Sequence, residues 1–189
     1  EIDDAARIPE YLSRAFHEAT AGRPGPVVLG LPEDMLRERV VAADAEPFVE
    51  VETWPGLARM SRLQKLLWAA QRPLVVVGGS RWSEAAVAAL TRFAERFDLP
   101  VACSFRRQAL FDNEHRNYAG DLGIGPNPDL VRRIAAADLL VLVGGRMSEI
   151  ASSGYRHLAI PEPAQTLVHV HPGAEELGRL YRPTLAINA

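Results

Sequence analysis

Three glycine-bearing loops and one pair of histidines hold the residue types in this sequence that could do chemistry. Gly78-Gly79-Ser80 and Gly144-Gly145-Arg146 each close a run of Val and Leu, and Gly120-Asp121-Leu122-Gly123-Ile124-Gly125 forms a third loop. Glycines there let the chain turn sharply and leave backbone N–H groups uncovered for an anionic ligand such as a nucleotide phosphate. Arg146 adds a planar guanidinium whose donor fork engages two acceptors at once. His169 and His171 flank Val170, so strand alternation places both imidazoles on one face.

Each feature also has a plainer reading, and the sequence leaves both open. The glycines suit a tight strand-to-helix turn with nothing bound. Arg146 suits a surface pair with Glu149 or a neighbouring acid. Gly78-Gly79-Ser80-Arg81-Trp82-Ser83 lacks the G-x-G-x-x-G pattern, which argues against dinucleotide binding of that type. The two histidines have no evident third metal ligand, so no metal site is expected. Cys103 is alone, which excludes an internal disulfide or a cysteine metal site and suits a small buried hydrophobe. Arg106 and Arg107 suit either an anionic ligand or a solvated loop. Trp54, Trp68 and Trp82 show no repeat spacing and are expected to fill gaps between layers.

The elements that must position these residues follow from the apolar pattern. Pro73–Val77 and Leu139–Val143 are apolar at every position, as in strands buried on both faces of a parallel sheet. Ligands of such sheets sit at the carboxyl ends of the strands, which is where the glycines lie. Further strands are expected at Val101–Cys103, Thr166–Val170 and Thr184–Ile187, with a sixth near Tyr118. Ser61-Arg62-Leu63-Gln64 resembles a capping box opening a helix with Leu63, Leu66, Leu67 and Ala70 inward. Ser83 is placed to cap a helix with Val87, Leu90, Ala94 and Phe97 in its stripe. Asn127-Pro128 opens another helix using Leu130, Val131 and Ile134, and a short helix is expected from about Ala174. Strands alternating with helices predict an α/β, Rossmann-like doubly wound, mostly parallel sheet of five or six strands with helices on both faces.

The first part of the chain reads differently. Ile8, Leu12, Ala15, Phe16 and Ala19 share one helical face, Ala21–Pro26 breaks that helix, and Val27–Leu31 reads as a short strand. One helix and one strand cannot bury their own apolar faces, so residues 1–31 need a partner. Residues 32–60 mix acids, Ala and Pro with little periodicity and read as a linker. Residues 61–189 form the regular unit.

Composition narrows the classes. The 189 residues are 48% apolar and 24% charged with a net charge of −3, an ordinary globular mix with no nucleic-acid signature. No apolar run approaches the roughly 18 residues of a membrane helix, and no signal peptide is visible. One cysteine and no leader suit a cytoplasmic setting. A chain opening on Glu1 is expected to be a piece of a longer protein.

Taken in order, GRPGPVVLGLPED (22–34), RPLVVVGGS (72–80), DLPVACS (98–104), ADLLVLVGGRMSE (137–149) and HVHPGAEELGR (169–179) resemble successive landmarks of the thiamine-diphosphate-dependent enzymes. The branch is that of acetolactate synthase, benzoylformate decarboxylase and oxalyl-CoA decarboxylase. The resemblance implies that residues 1–31 end a pyrimidine-binding domain and 61–189 form the central domain. It implies a parent lyase or transferase acting on 2-oxo acids with thiamine diphosphate and Mg²⁺, both held by flanking domains of the same chain, in a homo-oligomer. The glutamate that activates the cofactor and the Gly-Asp-Gly motif that holds its pyrophosphate have no match here, so this piece is expected to be inactive alone.

For the central domain the resemblance implies FAD or an ADP-like nucleotide at the glycine edge. Its contacts would be Gly78, Gly79, Ser80, Gly120, Gly123, Gly144, Gly145, Arg146 and His171. Flavin-binding relatives usually place a histidine near Gly125 and an acid near His171, and this sequence departs from both. The competing reading is a stand-alone nucleotide-binding module without thiamine chemistry. A sirtuin-type deacetylase would need zinc cysteines and a catalytic histidine in a suitable loop, and these are missing.

Overall fold

Parallel pairing joins six strands into one sheet, in a computed structural model that describes residues 1–49 and 51–189. They are β1 (Pro73–Val77), β2 (Val101–Ser104), β3 (Tyr118–Leu122), β4 (Leu139–Val143), β5 (Thr166–His171) and β6 (Leu185–Asn188). Their order is β3-β2-β1-β4-β5-β6, the Rossmann order, and every neighbouring pair runs parallel. Chain direction across the sheet reverses between β1 and β4, where Val75 pairs with Val141 and Val77 with Val143.

Alternation divides the core between the two faces. Val75, Val77, Val101, Cys103, Val141, Val168 and Ile187 face one layer, built on Leu63 and Leu67 of α2 (Leu57–Ala69) and Leu90 and Ala94 of α3 (Glu84–Phe97). Leu74, Val76, Ala102, Leu140, Leu142 and Leu167 face the other, packed on Leu130 and Ile134 of α4 (Pro128–Ala136) and on Met147, Ala151 and Leu158. Each such Leu or Val contributes about 1.5–3 kcal/mol when fully buried. Helices therefore cover both faces, as the apolar runs required.

The helix ends are set by local chemistry. Ser83 accepts from Ala86 N–H, Asn127 accepts from Asp129 N–H, and Asp98 closes α3 in the left-handed region at φ 49°. The capping box expected at Ser61 is not a helix start, because α2 opens five residues earlier on its N-cap Gly56 and runs through it. The helix near Ala174 is a single 3-10 turn, Ala174–Glu176.

The chain divides into Glu1–Glu52 and Thr53–Ala189. The first unit holds α1 (Ile8–Thr20), with Pro9 in its first turn, and a small cluster of Ile2, Ala5 and Met35. None of the α1 side chains is buried, and Leu12 and Phe16 on its apolar stripe are 44% and 60% exposed. The strand expected at Val27–Leu31 is not one. Among the described residues the segment pairs with no strand, and Ile2 N–H donates to Gly30 O at 2.9 Å. A strand needs a neighbour's N–H and C=O groups, and these residues supply none. Among residues 32–60, the start of α2 falls within the expected linker, and Glu50 lies outside the described residues.

The tryptophans also differ from expectation. Trp54 and Trp68 are largely exposed, and only Trp82 packs against the core.

Candidate functional site

The carboxyl ends of β1 and β4 carry the two double-glycine turns, and the sheet brings them together. Gly78 N–H donates to Val143 O at 3.0 Å. Gly79 and Gly144 adopt φ 76° and 72°, a region costly for residues with a Cβ. A Cβ on Gly145 would lie 2.8 Å from Gly78 Cα, and one on Gly78 would lie 3.0 Å from the Ser104 side chain. The glycines are thus spent on backbone-to-backbone packing at the switch point. Trp82 Nε1–H donates to Gly78 O at 2.8 Å, and Arg107 Nε–H donates to Gly79 O. Arg107, although exposed, thus reaches the turn with its guanidinium.

The other expected contacts lie beyond the turn, along β3 and at the end of β5. Ser80 is exposed beyond the turn. Gly120 lies within β3, not in a loop, and its missing side chain makes room for Leu130 of α4, with Cδ2 3.4 Å from a Cβ there. Gly123 ends β3, where a Cβ would meet Asp121 Oδ1 at 2.7 Å, two strands away from the switch point. His171 is buried at the end of β5, where its Nδ1 accepts from Gly173 N–H at 3.0 Å.

Arg146 does pair with an acid, but not Glu149. Its Nη1–H donates to Glu176 Oε1 at 3.0 Å, and Arg179 Nη1–H reaches the same oxygen at 3.2 Å. The Glu176 side chain is only 4% exposed, so its charge is held by two cations in a site poor in water. Beside it, His169 Nε2 lies 2.9 Å from Gly145 O. Burial is the main influence that keeps the His169 ring below the ordinary imidazole range, which favours its neutral form.

These residues line a cleft of about 270 Å³ at the β4–β5 edge, walled by Leu142, Met147, Tyr155 and Tyr181. Burial pushes the Tyr181 phenol above its ordinary value. Sequence reasoning missed Glu176, Arg179 and Tyr181. The signal for the first two was the i, i+3 spacing of Glu176 and Arg179 within HVHPGAEELGR. The described residues hold no cluster of three His, Cys, Asp or Glu side chains able to bind a metal ion. No described helix is long and apolar enough to cross a membrane.

Residues 60–189 match the family described as thiamine pyrophosphate enzyme, central domain. The chain belongs to this family. Among its relatives, the acetolactate synthase isozyme 2 large subunit of Escherichia coli is 27% identical over 190 residues, covering 98% of this chain and 33% of the relative. Isozyme 3 of the same organism is 31% identical over 177 residues, covering 86% and 29%. Glyoxylate carboligase of Escherichia coli O157:H7 is 27% identical over 197 residues, covering 98% and 31%. The chain thus spans about a third of the length of these relatives. An X-ray structure from Mycobacterium smegmatis, assigned as a thiamin diphosphate-dependent enzyme, superposes with a TM-score of 0.79 at 22% identity over 99% of this chain and 36% of that one. That likeness shows the fold.

Proposed function

We propose that this chain is the middle part of a thiamine-diphosphate-dependent enzyme acting on 2-oxo acids, with residues 1–31 ending a pyrimidine-binding domain and 61–189 acting as an architectural spacer. The observation that carries this reading is the state of the first unit. Its cluster of Ile2, Ala5 and Met35 is too small a core to stand alone, and Leu12, Phe16 and Val28 are left exposed. Such a unit gains a core only by joining more chain. The relatives, three times as long, supply a precedent for that.

Thiamine diphosphate, held by other domains, would supply the nucleophilic carbon for decarboxylation or carbon–carbon bond formation on 2-oxo acids. The residues present do not fit that cofactor. The chain has no Gly-Asp-Gly sequence, and the described residues form no acidic metal cluster. The central domain's part is to hold its neighbours apart, in a homo-oligomeric, cytoplasmic parent that carries Mg²⁺ with the cofactor in its flanking domains.

FAD or an ADP-like nucleotide at the glycine edge also fits poorly. The turns after β1 and β4 pack closely, backbone against backbone, and Arg146 is already engaged by Glu176. The same closure weighs against a stand-alone nucleotide-binding module. The test is the gene's reading frame, expressed with whatever flanks this segment. Thiamine diphosphate- and Mg²⁺-dependent turnover of pyruvate or glyoxylate is expected. A frame without a Gly-Asp-Gly domain, or one that yields no such turnover, rejects the reading.

A further inference from the structure

A groove of about 350 Å³ runs between α2 and α3, floored by Met60, Leu63, Leu67, Phe93 and Phe97. Leu57, Ser61 and Gln64 form its α2 wall at i, i+4 and i+7, and the same line reaches Trp68 at i+11. The helix α2 thus carries two apolar stripes. Leu63 and Leu67 are buried against the sheet, while Leu57, Met60 and Trp68 are 87%, 41% and 67% exposed. Single apolar residues at a surface are ordinary, but a continuous line of them beside an apolar groove marks an interaction surface. A small ligand in the groove would leave Leu57 and Trp68 bare, whereas a helix laid along it covers both.

The charge around the groove has one sign. The helix α2 carries Arg59, Arg62 and Lys65 and no acid. Arg59 turns toward β6, where its Nη1–H donates to Ala186 O at 2.6 Å, and Lys65 stands one turn from Ser61 beside the exposed line. On α3, Arg96 sits at i+3 from Phe93 and i+4 from Arg92, on the groove side. Glu95, at i+2 from Phe93, points the other way and meets His115 at 3.3 Å, and Asp98 beyond the helix end lies 3.6 Å from Arg116. Among the described residues no acid lines the groove.

We propose that the α2–α3 groove docks an acidic amphipathic helix of a separate protein, its apolar stripe on Met60, Phe93 and Trp68 and its carboxylates beside Lys65, Arg92 and Arg96. The 13 residues of α2 make it about 20 Å long, the span of a helix of equal length. A second copy laid α2 against α2 would bring cations to cations. The inference does not depend on thiamine chemistry in the parent, so either can fail alone.

The test is calorimetric titration of the 189-residue chain with a synthetic helix of about 14 residues, Leu on one face and Glu on the other, and with its Lys-for-Glu counterpart. Saturable binding of the Glu peptide is expected, weakening as added salt screens the exposed charges. The Lys peptide should bind at least about tenfold more weakly, because it meets like charge. Trp68→Ala should also cost about tenfold, as loss of an aromatic anchor does. Equal affinity for the two peptides, no saturation by the Glu peptide, unchanged affinity in the variant, or tighter binding to phosphatidylserine vesicles than to the peptide would each overturn the proposal. So would a dimer, seen by sedimentation, that the Glu peptide does not dissociate. The peptide comparison needs no substitution and stands even if a variant misfolds.

Discussion

A Cβ placed on Gly79 would sit 1.8 Å from the carbonyl oxygen of Gly144, so the turns after β1 and β4 meet backbone to backbone. The contact lies at the switch point, where many sheets of this order receive a ligand. Here the space goes to packing. Gly79→Ala should therefore destabilise the protein by about 2 kcal/mol or more, through the clash and the positive φ together. Gly125 has a similar φ of 72° but nothing within 4 Å, so Gly125→Ala should cost only about 1 kcal/mol. Denaturant unfolding of both variants checks this, and equal losses would mean the turns do not seal each other.

The buried Glu176 carboxylate joins two arginines that share no other element. Glu176→Gln removes the charge both guanidinium groups lean on, and a loss of about 1–3 kcal/mol is expected, since both arginines keep access to water. A change within about 0.5 kcal/mol, the usual range for surface substitutions, would show the trio to be an incidental surface pair.

At the amino ends of the two central strands, Asp138 accepts from Gln71 N–H at 2.7 Å and Arg72 N–H at 3.0 Å, tying the entry of β4 to that of β1. Desolvation opposes its ionisation, but the two N–H bonds outweigh it and hold the carboxyl below its ordinary value. A depressed carboxylate contributes stability that is full above the unfolded value and is lost as pH falls through the folded one. Asp138→Asn should flatten the acid limb of the stability–pH curve below about pH 4 while costing stability at neutral pH. An unchanged acid limb would contradict this.

Cys103 sits wholly buried in β2, and burial pushes its thiol up to about 11. The thiolate is the reactive form, so iodoacetamide at pH 8 should label the native protein hardly at all and label it fully once unfolded. Rapid labelling of the native chain would mean that β2 opens readily.

The sheet was legible because fully buried parallel strands leave an unmistakable trace, as in Leu139–Val143, where no residue is polar. Caps that rely on one side chain, Ser83 and Asn127, were legible for the same local reason. Val27–Leu31 misled because β-propensity describes a surface that fits a sheet and does not supply the neighbour. The site was only partly readable. Double glycines look alike whether they cradle a phosphate or pack on each other, and only the partner's position, here Gly144 against Gly79, tells them apart. Gly120 shows the same ambiguity, resolved by Leu130. Glu176 lies thirty positions after Arg146, a separation at which sequence gives no pairing signal.

The proposed division of labour between a spacer and cofactor-holding flanking domains is tested most directly by titrating thiamine diphosphate with Mg²⁺ into the 189-residue chain by calorimetry. No saturable heat is expected, since the described residues offer neither a pyrophosphate motif nor a metal cluster. Stoichiometric binding of the cofactor to this chain alone would contradict the account.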